Sequence, residues 1–356
     1  MKKKIYKIGI WGQFGDGGPI ADGQAVRTTI TTNELKKRYG DDNVLILNTN
    51  AWKKHPIKFF LDTINLLKKS ENILIFPADN GLKVVAQIYD IFNVFFKRKL
   101  FYIVIGGFLP AFLEKNPRYI KILNKYEVLF VQTPNLKKDL ENLGIKNIEM
   151  MTNFKIQKIR ASEDIKIDEN ENIKLCILSR LTKDKGIEDA VEAVKEANDI
   201  FGSVKVKLDL YGIVPEYYKE RFAHLINQNK DFVEYKGVAN YNQTVDVLRN
   251  YFALLFPTYF HGEGFAGCII DAFFAGIPII ATDWLYNKDI VKDKKNGILV
   301  PIKNSHEIAN AIVELYNNRD LVLEISKNNS NEAKKYTSKQ VLKELFDYLD
   351  NGEKYE

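Results

Sequence analysis

The chain has 356 residues, more than one typical domain, and its 46% hydrophobic and 28% charged residues are ordinary for a soluble globular enzyme. The net charge of +6 is mild, and no nucleic-acid-binding motif accompanies it, so nucleic acid is not an expected partner. Four scattered histidines and two distant cysteines, Cys176 and Cys268, show no metal-ligand spacing. The cysteines lie in apolar segments, which predicts core residues in a reducing compartment.

The first half alternates short apolar runs with helix-length segments. The basic start leads into a predicted strand at residues 4–12, too short and broken for a signal peptide, so we expect a cytoplasmic protein. A glycine-rich loop and an amphipathic helix that ends at Gly40 follow. Further strands are predicted at residues 43–48, 72–76, 100–106, 126–133 and 147–153. Apolar strands with helical crossovers predict a parallel sheet covered on both faces.

The second half repeats this alternation. From Thr152 the chain becomes charged and aperiodic, which predicts an interdomain linker and the entry to a second domain. Strands are predicted at residues 174–180, 207–212, 232–237, 253–258, 278–282 and 297–300, with helices from Ser305 onwards. The predicted class is α/β, with two doubly wound domains at residues 1–155 and 156–335 facing across a cleft. A C-terminal helix at residues 336–356 is expected to return towards the first domain.

Residues 256–284 are the most informative stretch, and they read as strand, glycine-rich loop, buried helix and strand. Asp271 lies within the apolar helix, where an ionised group is costly unless a partner compensates it. Glu263 lies in the loop eight residues earlier, so both carboxylates can line one side of a cleft. Loop amides at a helix N-terminus also suit an anion such as a diphosphate. The alternative is an acidic loop residue and a hydrogen-bonded core aspartate.

This stretch resembles the paired-acid motif of family 4 glycosyltransferases, which are retaining enzymes with the GT-B fold. Glu263-Gly264-Phe265 matches the start of the motif, and Asp271 stands where the family has a second glutamate. Residues 180–186 resemble the family's R-L-x-x-x-K-G segment, with Arg180 and Lys185 in the two basic positions. The resemblance implies that these two cations hold the donor diphosphate and that no metal is needed. The alternative is a solvated loop.

The resemblance also implies a set of donor contacts. Glu263, Arg180 and Lys185 would be the catalytic residues, with Glu263 binding the sugar hydroxyls. The backbone of the 264–267 loop would bind the phosphates, Asp271 the ribose, and the backbone after Gly237 the nucleobase. In the first domain, Gly17-Gly18 and Gly23-Gln24 compete for the family's N-terminal glycine loop. Gly23 and Gln24 are favoured near the phosphates because they open a helix. The donor-binding prediction comprises Gly23, Gln24, Gly212, Val238, Gly264, Phe265, Ala266, Gly267 and Asp271.

Acceptor recognition is less marked in the sequence. Asp16, Arg27 and His261 are candidate acceptor contacts, and a solvated loop or a structural hydrogen bond is the alternative for each. Many family members have a histidine after the fourth strand of the first domain, whereas this chain has Gly106-Gly107 there.

Residues 95–99, Phe-Phe-Lys-Arg-Lys, allow two interpretations. One is a basic, aromatic edge that rests on the cytoplasmic face of an anionic membrane bearing a lipid-linked acceptor. The other is a helix end with aromatic residues facing the core and basic residues facing water. The second is favoured, because the basic run is shorter than typical lipid-binding clusters.

The predicted function is that of a metal-independent retaining glycosyltransferase without a cofactor. It would move a sugar from a nucleotide-diphosphate donor, with a UDP-sugar favoured, to a saccharide or lipid-linked glycan acceptor. Capsule, lipopolysaccharide or related cell-surface polysaccharide assembly is the expected setting. One alternative is a nucleotide-sugar 2-epimerase, which would convert the donor with no acceptor present. The other is a non-catalytic GT-B binding subunit, which would bind no nucleotide.

Overall fold

A computed structural model describes residues 4–15, 23–50, 52, 54–166 and 172–350. The chain divides into two compact units, unit 1 (Met1–Thr152 and Val341–Glu356) and unit 2 (Asn153–Gln340). Each unit contains a six-stranded parallel sheet with helical connections, which confirms the predicted α/β class with two doubly wound sheets. None of the helices in the described ranges is long and apolar enough to cross a membrane.

Unit 1 has the strand order β2-β1-β3-β4-β5-β6. Its strands are β1 (Tyr6–Gly12), β2 (Val44–Asn48), β3 (Ser70–Ile75), β4 (Lys99–Ile103), β5 (Val128–Val131) and β6 (Ile148–Met150). Its connecting helices are α1 (Gly23–Tyr39), α2 (Pro56–Lys69), α3 (Asp79–Phe96), α4 (Leu109–Lys115), α5 (Arg118–Leu123) and α6 (Pro134–Asn142). The chain leaves β1 towards β2 and then returns to place β3 on the other side, so the order reverses between β1 and β3.

Unit 2 has the strand order β12-β11-β10-β7-β8-β9. Its strands are β7 (Ile173–Leu178), β8 (Val206–Tyr211), β9 (Val233–Tyr235), β10 (Ala253–Phe256), β11 (Ile279–Thr282) and β12 (Ile298–Val300). Its helices are α7 (Ile187–Phe201), α8 (Lys219–Gln228), α9 (Thr244–Leu248), α10 (Gly267–Ala275), α11 (Asn287–Ile290), α12 (Ser305–Asn317) and α13 (Arg319–Ala333). The order reverses between β7 and β10, and these two strands are hydrogen-bonded neighbours.

The apolar sequence of α10 matches its position in the core of unit 2. All its residues from Cys268 to Ala275 are buried, and the helix ends at Gly276, which has the left-handed backbone typical of a helix C-terminus. Both cysteines are buried and unpaired, as predicted for core residues. The segment predicted to be a linker is partly fixed in unit 2. The Arg160 amide donates to the carbonyl of Phe274 at 2.9 Å.

The C-terminal part of the chain consists of α14 (Ser338–Val341) and α15 (Lys343–Asp350). Within unit 1, the Asp350 carboxylate at the end of α15 accepts hydrogen bonds from Lys7, Arg38 and Tyr39. Burial alone would raise the pKa of Asp350, but these three donors outweigh it and hold that pKa below its ordinary value. The contacts attach the last described helix to the start of the same unit.

Candidate functional site

The reversal of strand order in unit 2 brings two loops together. Strands β7 and β10 are parallel neighbours, with Leu175 opposite Ala253 and Cys176 opposite Leu254. Their carboxyl ends therefore emerge side by side, and a ligand crevice is expected there in open α/β sheets. The loop after β7 carries Lys185, and the loop after β10 carries Glu263.

Direct backbone contacts lock these two loops against each other. The Tyr259 amide donates to the carbonyl of Asp184 at 2.9 Å. Gly186 has a φ of 72°, and a Cβ atom added there would lie only 2.1 Å from the carbonyl oxygen of Pro257. Any other residue would force the loops apart, so glycine at this position allows Lys185 to approach the β10 loop.

Lys185 and Glu263 form a largely buried ion pair. The Lys185 Nζ and the Glu263 Oε2 are 2.5 Å apart, and the two side chains are 14% and 10% exposed. Thr258 donates from its hydroxyl to the same Oε2 at 2.9 Å. The Lys185 ammonium also lies 4.7 Å from the ring centroid of Phe260. These contacts fix the cation and the carboxylate at the carboxyl end of the sheet.

Asp271 lies eight residues after Glu263 and, like Glu263, has a lysine and a threonine as partners. The Lys155 Nζ lies 2.7 Å from its Oδ1, and the Thr244 hydroxyl donates to the same oxygen at 2.8 Å. The Asp271 and Lys155 side chains are 3% and 11% exposed. Burial raises the pKa of Asp271 above its ordinary value, although Lys155 and Thr244 both favour the charged form. The partner that the sequence required is thus supplied by Lys155 and Thr244.

Glu263 and Asp271 share one arrangement, in which a lysine and a threonine hold a single carboxylate oxygen. Neither Glu263 Oε1 nor Asp271 Oδ2 has a partner within the described part of the chain. A carboxylate oxygen accepts hydrogen bonds only, so each is suited to a hydroxyl or other donor of a ligand.

The loop between the two carboxylates leads into the N-terminus of α10. The Asn153 side chain donates to the carbonyl of Phe265 at 2.6 Å and fixes this loop. The backbone amides of Gly264, Phe265 and Ala266 have no acceptor among the described residues. Gly267 begins α10, where the first amides of a helix also lack partners within the helix. This backbone suits an anion.

The other predicted donor residues of unit 2 lie at the same edge of the sheet. Arg180 follows β7, is exposed, and its guanidinium engages no partner within the described ranges. Gly212 follows β8, and a Cβ atom there would lie 1.6 Å from the carbonyl oxygen of Ser179. The Gly212 amide donates to the carbonyl of Gly237 at 2.8 Å, so the chain after β8 pairs with the chain before Val238, which is exposed.

His261 lies in the β10 loop, two residues before Glu263. Its ring is exposed and stands edge-on to Trp284, with 5.4 Å between the ring centroids. The Trp284 indole donates to the carbonyl of Phe260 at 2.8 Å, which fixes the indole against this loop. The predicted acceptor contact of His261 stays a prediction.

Three of the predicted contact residues, Gly23, Gln24 and Arg27, lie in α1 of unit 1. Gly23 begins α1, and Gln24 donates from its side chain to the carbonyl of Phe76, the residue after β3, at 2.7 Å. Arg27 is 2% exposed, donates to the carbonyl of Met151 at 3.4 Å, and burial lowers its pKa to about 9. This burial gives Arg27 a structural role in unit 1, and its acceptor role stays a prediction. Asp16 lies outside the described residues.

The sequence reasoning missed four side chains of this site: Asn153, Lys155, Thr244 and Thr258. Thr258 had a recognisable signal, since it is a hydroxyl residue at the carboxyl end of the predicted strand 253–258, directly before the loop that carries Glu263. The other three had no local signal. Asn153 and Lys155 belong to an aperiodic charged segment, and Thr244 opens a helix 27 residues from its partner Asp271. Nowhere in the described ranges do three or more His, Cys, Asp or Glu side chains form a metal-holding group.

The family model for glycosyl transferases group 1 matches residues 157–335, half of the 356-residue chain. The chain belongs to the group 1 glycosyl transferases. The match contains Lys185, Glu263 and Asp271, so the part of the chain that defines the family also carries the site described above. Asn153 and Lys155 lie just before it.

Two curated relatives of this group 1 glycosyl transferase come from Staphylococcus aureus. One is a poly(ribitol-phosphate) alpha-N-acetylglucosaminyltransferase, 27% identical over 240 residues, or 65% of this chain and 45% of the relative. The other is the capsular polysaccharide biosynthesis glycosyltransferase CapM, 25% identical over 225 residues, or 62% of this chain and 57% of the relative. The aligned chain thus spans about half the length of these relatives.

Solved structures share the fold of both units. Anabaena HepE, crystallised in complex with UDP, has a TM-score of 0.73 at 14% identity and covers 96% of this chain and 99% of its own. Sucrose-phosphate synthase from Thermosynechococcus elongatus has the same TM-score at 13% identity and covers 96% and 97%. At these identities the likeness concerns the fold alone.

Proposed function

We propose that this group 1 glycosyl transferase moves a sugar from a UDP-sugar to a glycan acceptor and retains the configuration of the anomeric carbon. The observation that carries the proposal is the geometry at the β7/β10 reversal. A cation and two carboxylates, each with one oxygen without a partner in the described chain, lie beside loop amides that also lack acceptors. This set is complementary to a nucleoside diphosphate bonded to a sugar.

The diphosphate would lie against the Gly264–Ala266 amides and the start of α10, with Lys185 and Arg180 around it. A diphosphate leaving group gains negative charge as its bond to the sugar breaks, and cations already in position stabilise that charge. Lys185 is held in position by Glu263, whereas Arg180 is exposed and able to turn towards a ligand. In this proposal the two side chains replace a metal ion as the source of positive charge. Replacement of Lys185 or Arg180 should therefore affect turnover most.

The two carboxylates would bind the two ends of the donor. Glu263 would accept hydrogen bonds from sugar hydroxyls through Oε1, while Oε2 remains bound to Lys185 and Thr258. Asp271 would accept one from the ribose through Oδ2, while Lys155 and Thr244 hold Oδ1. Aspartate is one methylene shorter than the glutamate expected at this position, so the α10 backbone would have to lie closer to the ribose for the carboxylate to reach it.

The proposed reaction is a front-face substitution. The acceptor hydroxyl attacks the anomeric carbon from the face on which the diphosphate departs. The bond from that carbon to the acceptor oxygen forms as the bond to the diphosphate oxygen breaks. The hydroxyl proton passes to the departing phosphate oxygen, so no separate base is required. Lys185 and Arg180 stabilise the charge that remains on the diphosphate.

The acceptor proposal rests on the relatives. A ribitol-phosphate polymer and a capsular polysaccharide appear in the names of the two Staphylococcus aureus proteins. We therefore place the reaction in the assembly of a cell-surface polysaccharide at the cytoplasmic side of the membrane, with a lipid-linked or polymeric glycan as acceptor. Lipopolysaccharide assembly fits the same chemistry.

Release of UDP tests the proposal. The protein is incubated with UDP-N-acetylglucosamine or UDP-glucose, with poly(ribitol phosphate) or capsular fragments as acceptor probes. Arg180→Ala and Lys185→Ala should each lower turnover at least tenfold with the fold intact, because each removes charge stabilisation from the leaving group. Lys195→Ala, an exposed lysine on α7, is the matched control and should retain full turnover.

Two results would overturn the proposal. Full turnover in Arg180→Ala or Lys185→Ala would remove those side chains from the reaction. Conversion of the free nucleotide sugar into its epimer in the absence of any acceptor would assign the site to an isomerase instead.

A further inference from the structure

Six large apolar side chains are exposed on two neighbouring helices of unit 1. Ile57 on α2 and Phe95 on α3 are the most open, at 78% and 77% exposure. The set, called here the apolar patch, comprises Ile57, Phe60, Leu61, Ile91, Val94 and Phe95. Soluble proteins expose single apolar residues often, but contiguous groups of this size mark interaction surfaces.

The spacing of these residues gives each helix a second apolar face. On α2 they occupy positions 57, 60 and 61, and on α3 positions 91, 94 and 95, so both follow the i, i+3, i+4 pattern. The core-facing side of α2 is a different set, in which Phe59, Thr63, Leu66 and Leu67 are buried. The exposed residues are therefore not needed to close the core of unit 1.

Two contacts hold α2 and α3 side by side. The rings of Phe60 and Phe92 meet edge-on with 6.0 Å between their centroids. At the other end, the Arg98 guanidinium donates to the carbonyl of Lys68 at 3.1 Å. The basic ends of α2 and α3 thus lie side by side.

The charge at this surface is predominantly positive. Residues 56–69 and 90–99 contain six basic and two acidic residues, Asp62 and Asp90, which gives a net charge of +4. Their basic residues are Lys58, Lys68, Lys69, Lys97, Arg98 and Lys99. Three of them follow one another in the sequence at residues 97–99, and the structure adds Lys68 and Lys69 beside them. Five basic residues fall within the size typical of clusters that bind anionic lipid.

We propose that unit 1 binds an anionic lipid bilayer through the apolar patch and the basic ends of α2 and α3. The apolar side chains would enter the boundary between headgroups and acyl chains, while the lysines and Arg98 contact acidic headgroups. A bilayer fits better than a protein partner because the five charged residues at the adjoining ends of α2 and α3 are all basic. The three basic residues at 97–99 are too few on their own for a typical lipid-binding cluster. Lys68 and Lys69 bring the cluster to five, which supports membrane binding by the segment at residues 95–99. The proposal does not rest on the proposed reaction.

Sedimentation with vesicles tests this inference in the absence of nucleotide. The full chain should bind vesicles of phosphatidylglycerol and phosphatidylcholine in equal parts, and should bind phosphatidylcholine alone at least tenfold more weakly. Val94→Glu with Phe95→Glu should reduce binding to the anionic vesicles at least tenfold, because charge replaces apolar insertion. Lys68→Gln with Lys69→Gln should reduce it by a factor of ten or more, since each lysine near an anionic surface strengthens binding roughly fivefold.

Two matched pairs of substitutions in unit 2 serve as controls. Ile200→Glu with Val204→Glu changes two exposed apolar residues, and Lys195→Gln with Lys230→Gln removes two exposed lysines. Both pairs should leave vesicle binding within twofold of the unchanged chain. Binding of UDP, measured alongside, should be the same in all four variants, which separates loss of membrane binding from unfolding.

Three results would overturn the inference. The first is no binding to anionic vesicles, and the second is equal binding by the apolar-patch variant. The third is a dimer of the unchanged chain in solution that Val94→Glu with Phe95→Glu dissociates, since a second copy would then cover the apolar patch.

Discussion

Replacing Lys155 with methionine tests the assignment of the buried ion pair. Methionine keeps most of the side-chain volume but removes the charge, so the Asp271 carboxylate retains only the Thr244 hydroxyl as a partner. Breaking a buried pair by removing one member typically costs 3–5 kcal/mol, because it leaves an uncompensated charge. The structure meets that condition, since the Asp271 side chain is only 3% exposed.

Protonation of Asp271 limits how much free energy the Lys155→Met substitution can cost. Asp271 can escape its buried charge by taking a proton, and for a carboxyl with an unfolded pKa of about 3.9 this costs about 4 kcal/mol at pH 7. Its folded pKa is already raised by burial, and removal of Lys155 raises it further. A group with a raised folded pKa is most stabilising below its unfolded pKa and loses that contribution as pH rises. The variant should therefore lose about 3 kcal/mol at pH 7 and at most about 1.5 kcal/mol at pH 5.

Hydrogen exchange of peptides that cover α10 measures this loss, because the opening free energy of that helix includes the cost of Asp271. Lys155→Met with Asp271→Asn should recover most of it by removing both charges. Lys195→Met, which breaks the exposed pair with Glu192, is the control and should cost less than about 0.5 kcal/mol. An unchanged opening free energy, or a loss that is the same at pH 5 and pH 7, would refute the reasoning.

Two further predictions concern the loops and the C-terminus. Gly186→Ala should lower the free energy of unfolding by at least about 2 kcal/mol and weaken UDP binding, because the new Cβ meets the Pro257 carbonyl. In urea denaturation and calorimetry, Gly202→Ala, also at positive φ but in open space, should cost only about 1 kcal/mol and leave UDP affinity unchanged. Asp350→Asn should cost up to about 1 kcal/mol at pH 7 and less at pH 3, because a lowered pKa gives stability that is lost as pH falls. Urea denaturation that shows the same loss at both pH values would contradict it.

Strand positions in both units could be predicted from the sequence, because parallel strands buried on two faces are short continuous apolar runs. The run at residues 174–180 corresponds to β7 (Ile173–Leu178), and that at residues 207–212 to β8 (Val206–Tyr211). The helix containing Asp271 was also predictable, since an apolar helix that ends at Gly276 has few places in a soluble protein except the core.

The partners of the carboxylates could not be predicted in the same way. Glu263 and Lys185 are 78 residues apart, and only the family pattern related them. Lys155 and Asp271 are joined by tertiary packing of a segment with no periodicity, so nothing local distinguishes Lys155 from its neighbouring lysines. The apolar patch could not be predicted from the sequence either, because α2 and α3 form a common surface only when both helices pack on the sheet of unit 1.

The most direct test of the central claim is titration calorimetry of the protein with UDP, GDP, ADP and CMP, without added metal. The site at the β7/β10 reversal predicts selective binding of one nucleoside diphosphate, expected to be UDP, and at least tenfold weaker binding by Lys185→Ala. Lys195→Ala should bind like the unchanged chain. Absence of binding to all four nucleotides would contradict the assignment and favour a non-catalytic binding subunit. Full affinity in Lys185→Ala would also contradict it, because Lys185 would then not contact the diphosphate.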